Sequence, residues 1–329
     1  MSGAPTMRVV RFAKFGGPEV LVLDEIERPR PGPGEILIRH RAIGLNFADI
    51  YLRSGVYPVT LPSAIGAEAA GVVEALGEGV TRFAPGDRVA YCLGPFGAYA
   101  ETNVVPEGRA VRLPPELPDD IAAAALMKGL TARYLLKGVR PTKPGDTILW
   151  HAAAGGVGLI ALQWAAHLGA RVIAVVGSDA KAQVALAHGA SDVIVSGRQD
   201  IAKAVRALTG GEGVPVVYDS VGRDTFEASL DSLAPTGLLV NCGNASGPTP
   251  DISARLLAQK GSLFFTRPAL ATYMRTPQLL DAAAADLFAV LAQGVVKVEI
   301  RQTWPLAQAA LAHQALEARA TTGASILTL

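Results

Sequence analysis

The sequence has little cysteine and almost no charge imbalance, and each shortage excludes something. Two cysteines, Cys92 and Cys242, among 329 residues cannot build a disulfide framework or a four-cysteine zinc site. They read as small buried or half-buried side chains. The 30 basic and 29 acidic residues leave a net charge of +1, and no basic stripe stands out. The electrostatic footprint of a nucleic-acid binder is therefore missing. No apolar run approaches the roughly 20 residues that span a bilayer. The opening Met1-Ser2-Gly3-Ala4-Pro5-Thr6-Met7 lacks the charged and apolar regions of a signal peptide. The expectation is a cytoplasmic protein with no membrane partner. What is present is a folding composition, with hydrophobic residues at 50% and charged residues at 18%. The length allows two domains with substantial cores.

Three textures follow one another along the chain. The first stretch is rich in short strands and turns. A strand over Glu35–Arg41 follows the Pro-Gly-Pro-Gly turn at 31–34, another runs from Gly71 to Gly77, and Pro85-Gly86-Asp87 feeds a third. Many short strands punctuated by Gly and Pro argue for a barrel or sandwich. From about 128 to 266, strands alternate with helices. Strands are predicted at Asp146–His151, Arg171–Val176, Asp192–Val195, Val214–Tyr218, Leu238–Cys242 and Ser262–Phe265. A helix from about Gly156 stops at Gly169, and a second, around 180–188, stops at Gly189. Such alternation implies a parallel sheet covered on both faces, and six strands make two mononucleotide-binding halves. The last stretch predicts helices at 281–292 and 305–318, a strand at Val295–Ile300 and a terminal strand over Ala324–Leu327 that returns to the first region.

The motif Ala153-x-Gly155-x-x-Gly158 stands directly after a predicted strand and opens a helix, the context a dinucleotide fingerprint requires. A tight turn lets backbone approach a diphosphate at Gly155, and Gly158 lets the helix pack close to the strand. The amides that begin the helix then meet the phosphates. An NAD site places an acid at the end of the second strand. Here that strand ends Val175-Val176-Gly177-Ser178, with no carboxylate at its tip. Ser178 can donate a hydrogen bond and Lys181 adds positive charge, which suits a 2′-phosphate and favours NADPH. Asp179 dissents, but reads as the N-cap of the following helix. Lys181 taken alone also reads as an ordinary solvated lysine.

Further motifs carry a resemblance over essentially the whole length. They are Gly16-Gly17-Pro18-Glu19-Val20-Leu21, Asn46-Phe47-Ala48-Asp49, Arg53-Ser54-Gly55-Val56-Tyr57-Pro58, Gly66-Ala67-Glu68-Ala69-Ala70-Gly71 and Lys128-Gly129-Leu130-Thr131. Later come His151-Ala152-Ala153-Ala154-Gly155-Gly156-Val157-Gly158, the run Val217–Asp224, and Thr266-Arg267-Pro268. With these the chain resembles the zinc-independent quinone oxidoreductases, the zeta-crystallin group of the medium-chain dehydrogenase/reductase superfamily. The resemblance implies an α/β fold: a GroES-like β-barrel catalytic domain over 1–127 and 267–329, and a Rossmann domain with a doubly wound six-stranded parallel sheet over 128–266. It implies NADPH as cofactor, with Asn46 near the nicotinamide and Lys128 and Thr131 at its edge. Gly155, Gly156, Val157 and Gly158 would hold the diphosphate, and Ser178 and Lys181 the 2′-phosphate. Ser220, Gly243 and Asn244 follow the fourth and fifth strands, and Arg319 resembles an arginine that reaches the adenosine phosphate. Ser196 stands where relatives often have a tyrosine, with Arg198 as a neighbouring charge. A homodimer joined at the sixth strand is also implied. Zinc enzymes of the superfamily carry a cysteine where this chain has Asn46 and a histidine where it has Ala67, and zinc needs about four N, S or O ligands. The expectation is that no metal is bound.

Without a metal, the expected substrate is one already electron-poor, a quinone or a conjugated carbonyl compound, for which proximity and orientation do most of the work. Asn46 or Tyr51 could meet the developing oxyanion, and Tyr57 or water could give the proton. Tyr51 and Tyr57 read equally well as packing residues. The five histidines show no ligand spacing, so surface or helix-end roles are expected for most, with His151 behind the cofactor turn. Two other functions share parts of this pattern. One is an enoyl-thioester or alkenal reductase; the other is a non-catalytic structural or RNA-binding role, against which the balanced charge argues.

Overall fold

The structure is a computed structural model, and it describes residues 5–329. Two compact units emerge. Unit 1 comprises Met1–Leu130, Met274–Ala292 and Val298–Leu329; unit 2 comprises Thr131–Tyr273 and Gln293–Lys297.

The chain enters unit 1 through β1 (Thr6–Phe12), β2 (Val22–Glu27) and β3 (Glu35–Gly44), then helix α1 (Phe47–Arg53). Five strands follow: β4 (Ser63–Ala64), β5 (Ala69–Leu76), β6 (Arg88–Tyr91), β7 (Thr102–Pro106) and β8 (Ala110–Arg112). Helix α2 (Asp119–Arg133) ends this stretch. Unit 2 then alternates strand and helix: β9 (Thr147–His151), α3 (Gly156–His167), β10 (Arg171–Val176), α4 (Asp179–Ala187), β11 (Asp192–Val195) and α5 (Ile201–Leu208). It continues with β12 (Val214–Asp219), α6 (Phe226–Ser232), β13 (Leu233–Asn241), α7 (Ala254–Gln259), β14 (Phe264–Thr266) and α8 (Leu270–Tyr273). Finally α9 (Pro277–Ala292), β15 (Ile300–Pro305), α10 (Ala309–Glu317) and β16 (Ala324–Thr328) complete unit 1.

In unit 1, β15-β16-β3-β5-β6-β8 form one sheet with β7 paired to β3, and β2-β1-β4 form another. The pairings are antiparallel except for β15 with β16. Alternating residues of these short strands, among them Ile36, Ile38, Val73, Val89 and Val105, fill one core with Phe12, Tyr91, Tyr99 and Leu327. The terminal strand β16 pairs with β3, bringing the chain's end back to its beginning. These are the features of a GroES-like β domain.

Unit 2 has a six-stranded sheet in the order β11-β10-β9-β12-β13-β14, all parallel. The order reverses beside β9, as a doubly wound Rossmann sheet requires. Val172–Val176 of β10 are all buried, as expected of a parallel strand covered on both faces. Leu149, Ile173, Val217 and Leu239 from the sheet pack with Phe226 and Leu230 of α6.

Some local expectations shift. The predicted strand at Val295–Ile300 forms later, as Ile300–Pro305. The backbone at Lys297 is instead held by a side chain: Lys297 N–H donates to Gln163 Oε1 at 2.9 Å, and Gln163 Nε2 donates to Lys297 O at 3.1 Å. A strand ladder is not needed there. The last helix starts at Ala309 rather than 305, after a single 3-10 turn over Leu306–Gln308. Among the described residues no helix is long and apolar enough to cross a membrane.

The surface or helix-end expectation fails for His40 and His313, which are buried and hydrogen-bonded, while His151, set apart in the sequence as lying behind the turn, is buried at the end of β9. His40 bonds the Ala100 carbonyl at 2.7 Å and Tyr91 Oη at 3.1 Å. Burial drives its pKa down to about 4, against the opposing pull of that carbonyl. The native state thus binds fewer protons than the unfolded chain below the ordinary histidine value, and stability falls as pH drops from about 6.5 toward 4. The His40 contribution at full extent is about 3 kcal/mol, taking about 1.4 kcal/mol per pKa unit. Urea unfolding across this window is expected to lose stability on acidification, and His40→Gln to flatten the loss; equal pH slopes for the two proteins would contradict it.

Candidate active site

In unit 2 the candidate cofactor turn follows directly from strand geometry. Chain leaving β9 turns at Ala152, which adopts a left-handed φ of 51°, and enters α3 with Gly155 as an extended N-cap. No side chain caps this helix, so the first amides of α3 have no side-chain acceptor. A Cβ on Gly158 would fall 2.7 Å from the Ala153 carbonyl carbon and closer still to its oxygen. Only glycine lets the helix sit this close to the strand. A cradle of bare amides with the helix dipole behind it fits a diphosphate.

At the tip of β10, a Cβ on Gly177 would meet no atom within 4 Å, so space stands open beside the strand end. Ser178, not Asp179, is the N-cap of α4: its Oγ accepts from Lys181 N at 3.3 Å. Its hydroxyl hydrogen remains to be given elsewhere. Asp179 instead pairs with Arg198 at 2.7 Å, both side chains being exposed. Ser196 Oγ is engaged by the β10 backbone, at 3.1 Å from Val176 O. The donor set at this strand end (a serine, a lysine, no unpaired acid) fits a phosphate better than a ribose diol.

The ends of β12 and β13 bring Ser220, Gly243 and Asn244 together. A Cβ on Gly243 would lie 2.7 Å from Ser220 O, and Ala245 N donates to that same oxygen at 3.2 Å. Asp219 braces this loop. Its Oδ1 accepts from Val221 N and Gly222 N, and its Oδ2 from Thr225 and Ser229, both at 2.7 Å. Ser229 Oγ in turn meets His151 Nε2 at 3.0 Å. His151, at the end of β9, therefore ties the cofactor turn to the Ser220 loop, and its burial lowers its pKa.

In unit 1 the candidate residues gather on a carboxylate that sequence reasoning left out of the site. Glu68 is fully buried. Its Oε2 accepts from Asn46 Nδ2 at 2.8 Å and from Lys128 Nζ at 3.1 Å, and its Oε1 accepts from Met127 N at 2.6 Å. A Cβ on Gly44 would fall 2.7 Å from the Glu68 carboxyl carbon, so the end of β3 is bare to make room for it. Asn46 is the N-cap of α1, and Asp49 returns to its backbone, accepting from Asn46 N at 2.9 Å. Only an acid in the midst of small apolar residues, Ala67-Glu68-Ala69-Ala70, signalled Glu68 in the sequence.

Tyr51 and Tyr57 meet edge to face at 5.3 Å, and Tyr57 is 37% exposed. Thr131 lies three residues past Lys128 on α2. Arg319 follows α10 with a left-handed φ of 56°, a conformation that costs a non-glycine residue energy. Among the described residues no group of three or more His, Cys, Asp or Glu side chains is placed to hold a metal ion.

Residues 32–115 match the alcohol dehydrogenase GroES-like domain, and residues 156–285 match the zinc-binding dehydrogenase family. A quinone oxidoreductase of Pseudomonas aeruginosa is 51% identical, covering 97% of this chain and 98% of its own. A 2-haloacrylate reductase of a Burkholderia species is 44% identical over 95% of this chain and 96% of its own. The crystal structure of an Escherichia coli quinone oxidoreductase complexed with NADPH superposes with a TM-score of 0.97 at 46% identity, covering 99% of this chain and all of that one. The chain belongs to the quinone oxidoreductase family of the medium-chain dehydrogenase/reductase superfamily.

Proposed function

We propose that the chain is an NADPH-dependent quinone oxidoreductase that reduces quinones without a metal ion. The observation that carries this reading is the β10 tip, where space stands open at Gly177, Ser178 caps α4 by accepting from Lys181 N, and Asp179 is already paired with Arg198. The NADPH complex of the 46% identical relative supports the choice of cofactor. When bound, NADPH supplies the hydride. The chain's own residues bind and orient. The amides of Gly156, Val157 and Gly158 would receive the diphosphate, with Gly155, whose own N–H donates to Ala152 O at 2.9 Å, shaping the turn beneath it; Ser178 and Lys181 would hold the 2′-phosphate, and Arg319 the adenosine phosphate. Ser220, Gly243 and Asn244 line the carboxyl ends of the strands, where ligands bind in such sheets, and Thr131 stands at the nicotinamide edge.

Glu68 explains how unit 1 can serve the substrate. It takes one hydrogen each from Asn46 and Lys128, leaving the second amide hydrogen of Asn46 and two ammonium hydrogens of Lys128 for other acceptors. Donors fixed in this way stabilise negative charge growing on a quinone oxygen. Tyr51 is an alternative donor, and Tyr57 or water supplies the proton that completes the hydroquinone. A reductase of conjugated carbonyls is the second reading, favoured by the 44% identical 2-haloacrylate reductase.

The chain is further read as a cytoplasmic homodimer that does not bind nucleic acid. The last of these rests on the balance of 30 basic and 29 acidic residues. The dimer reading rests on β14, an edge strand whose Phe264 is 61% exposed.

Purified protein is expected to oxidise NADPH with 1,4-benzoquinone at least ~10-fold more efficiently than with a crotonyl thioester; the reverse order would transfer the assignment to the enoyl class. Lys181→Ala is expected to weaken NADPH binding by about 10–100-fold, the worth of a charge-assisted hydrogen bond, with little change for NADH. An unchanged preference would remove the phosphate site. Sedimentation is expected to show a dimer for the native chain and a monomer for Phe264→Asp.

A further inference from the structure

Behind Asn46, unit 1 holds a line of buried polar side chains that hydride transfer does not call upon directly. Asn46 N–H and Tyr99 Oη both donate to Asp49 Oδ2, at 2.9 and 3.0 Å. Tyr99 Oη lies 3.1 Å from His313 Nε2, and His313 Nδ1 lies 3.2 Å from Arg53 Nη1. Arg53 also donates to Gly16 O at 3.1 Å and reaches Glu317 Oε1 at 2.5 Å. Asp49, Tyr99 and His313 are fully buried and Arg53 is 1% exposed; only Glu317, with its side chain at 35%, is substantially wet.

The chemistry of the donors gives this line one direction. A guanidinium only donates, so His313 Nδ1 must accept from Arg53. The neutral ring then carries its hydrogen on Nε2 and donates it to Tyr99. Tyr99 in turn gives its hydroxyl hydrogen to Asp49. Burial and the adjacent Arg53 charge hold His313 neutral, with its pKa lowered to about 3. Because arginine cannot release a proton and each other hydrogen is committed, the line cannot conduct protons in from Glu317. It can only hold its terminal acceptor in place.

That acceptor is unusual. Asp49 Oδ1 is buried with no hydrogen-bond partner among the described residues. Tyr99 touches Asp49 directly, Lys128 on α2 and Glu68 ahead of β5 act on it through their charge, and His313, Arg53 and Glu317 stand in line behind Tyr99. Burial raises the Asp49 pKa to about 7, against the hydrogen bonds from Asn46 and Tyr99 and the Lys128 charge, with Glu68 adding to the rise. The two bonds to Oδ2 are charge-assisted only while Asp49 is ionised.

We propose that Asp49 is a positioning residue for Asn46: clamped from behind by Arg53, His313 and Tyr99, its carboxylate fixes the start of α1 and thereby the Asn46–Glu68–Lys128 donor set, and the clamp loosens when Asp49 takes up a proton. This rests on the reading of that donor set as the substrate side of a quinone reductase, but one of its tests does not.

Steady-state rates with NADPH and 1,4-benzoquinone, measured from about pH 5 to pH 9, test the proposal with three variants. The native enzyme is expected to lose kcat on the acid side. Asp49→Asn is expected to lower kcat by about 10–100-fold, as a misplaced donor does, with the benzoquinone KM and the NADPH dissociation constant near native, and to abolish the acid limb. His313→Gln can accept from Arg53 and donate to Tyr99 in the same order, so it is expected to keep kcat within ~3-fold of native; His313→Leu can do neither and is expected to fall with Asp49→Asn. An acid limb that persists in Asp49→Asn, or equal rates for the two His313 variants, overturns the proposal. Independently of turnover, imidazole nitrogen chemical shifts of the native protein are expected to report His313 neutral with its proton on Nε2 across the range. A proton on Nδ1, or a charged ring, overturns the clamp even where quinone turnover is found. Absence of any quinone or enone turnover with the tautomer as expected would instead overturn the functional reading, and with it the part given to Asn46.

Discussion

The approach of α3 to β9 is the constraint on which the rest of unit 2 depends. At Gly158 the helix comes so close to the carbonyl of Ala153 that a single methyl group cannot be placed between them. That closeness needs the turn at Ala152 to reverse sharply and leaves Gly155 as a cap with no side chain over the amides. A helix start with unsatisfied N–H groups, at the point where strand order reverses, is a standing site for an anionic group. The surrounding polar residues serve this arrangement. Asp219 and Ser229 lock the Ser220 loop and reach back to His151 at the root of the same turn, so the two strand ends flanking the reversal are tied by hydrogen bonds as well as by the sheet.

Unit 1 is organised by a different kind of constraint, a buried charge. Glu68 and Lys128 are 3.1 Å apart with side chains almost fully removed from water. Taking two ions out of water costs several kcal/mol each, and an apolar pair of similar volume is often no less stable. The cluster is tolerable because each Glu68 oxygen is satisfied, one by Met127 N and the other by Asn46 and Lys128. Stability alone gives little reason to keep such a pair. Its chemical consequence is more informative: an amide and an ammonium group are held rigid, in a low-dielectric setting, with hydrogens still to give. Arg53, buried between Gly16, His313 and Glu317, repeats the pattern one layer further back.

How far the sequence discloses this depends on the range of the interaction. The parallel sheet was legible because strand and helix periods alternate, and the strand–turn–helix around Gly155 and Gly158 because its residues are contiguous in the chain. Strand β11 falls where expected, since a short apolar run bounded by turn residues has few other ways to fold. Contacts between distant segments were not legible. Glu68 reads locally as an acid among alanines, and its partners lie 22 and 60 residues away. His313 sits on an unremarkable alanine-rich helix, and only folding brings it to Tyr99 and Arg53, 214 and 260 residues distant. The cap of α4 failed for a local reason, because Ser178 and Asp179 are both good capping residues and a long-range partner, Arg198, drew the aspartate away. The strand misplaced before Ile300 has a similar cause, since Gln163 satisfies the backbone that a ladder would otherwise have claimed.

Hydrogen exchange of the backbone amides at Gly156, Val157 and Gly158, with and without NADPH, is the most direct test of the claim that this bare helix start is the seat of the cofactor's diphosphate. The account predicts that these amides become protected when NADPH is added, and that a nicotinamide mononucleotide, which lacks the diphosphate, does not protect them. Amides that exchange at the same rate in saturating NADPH would contradict it.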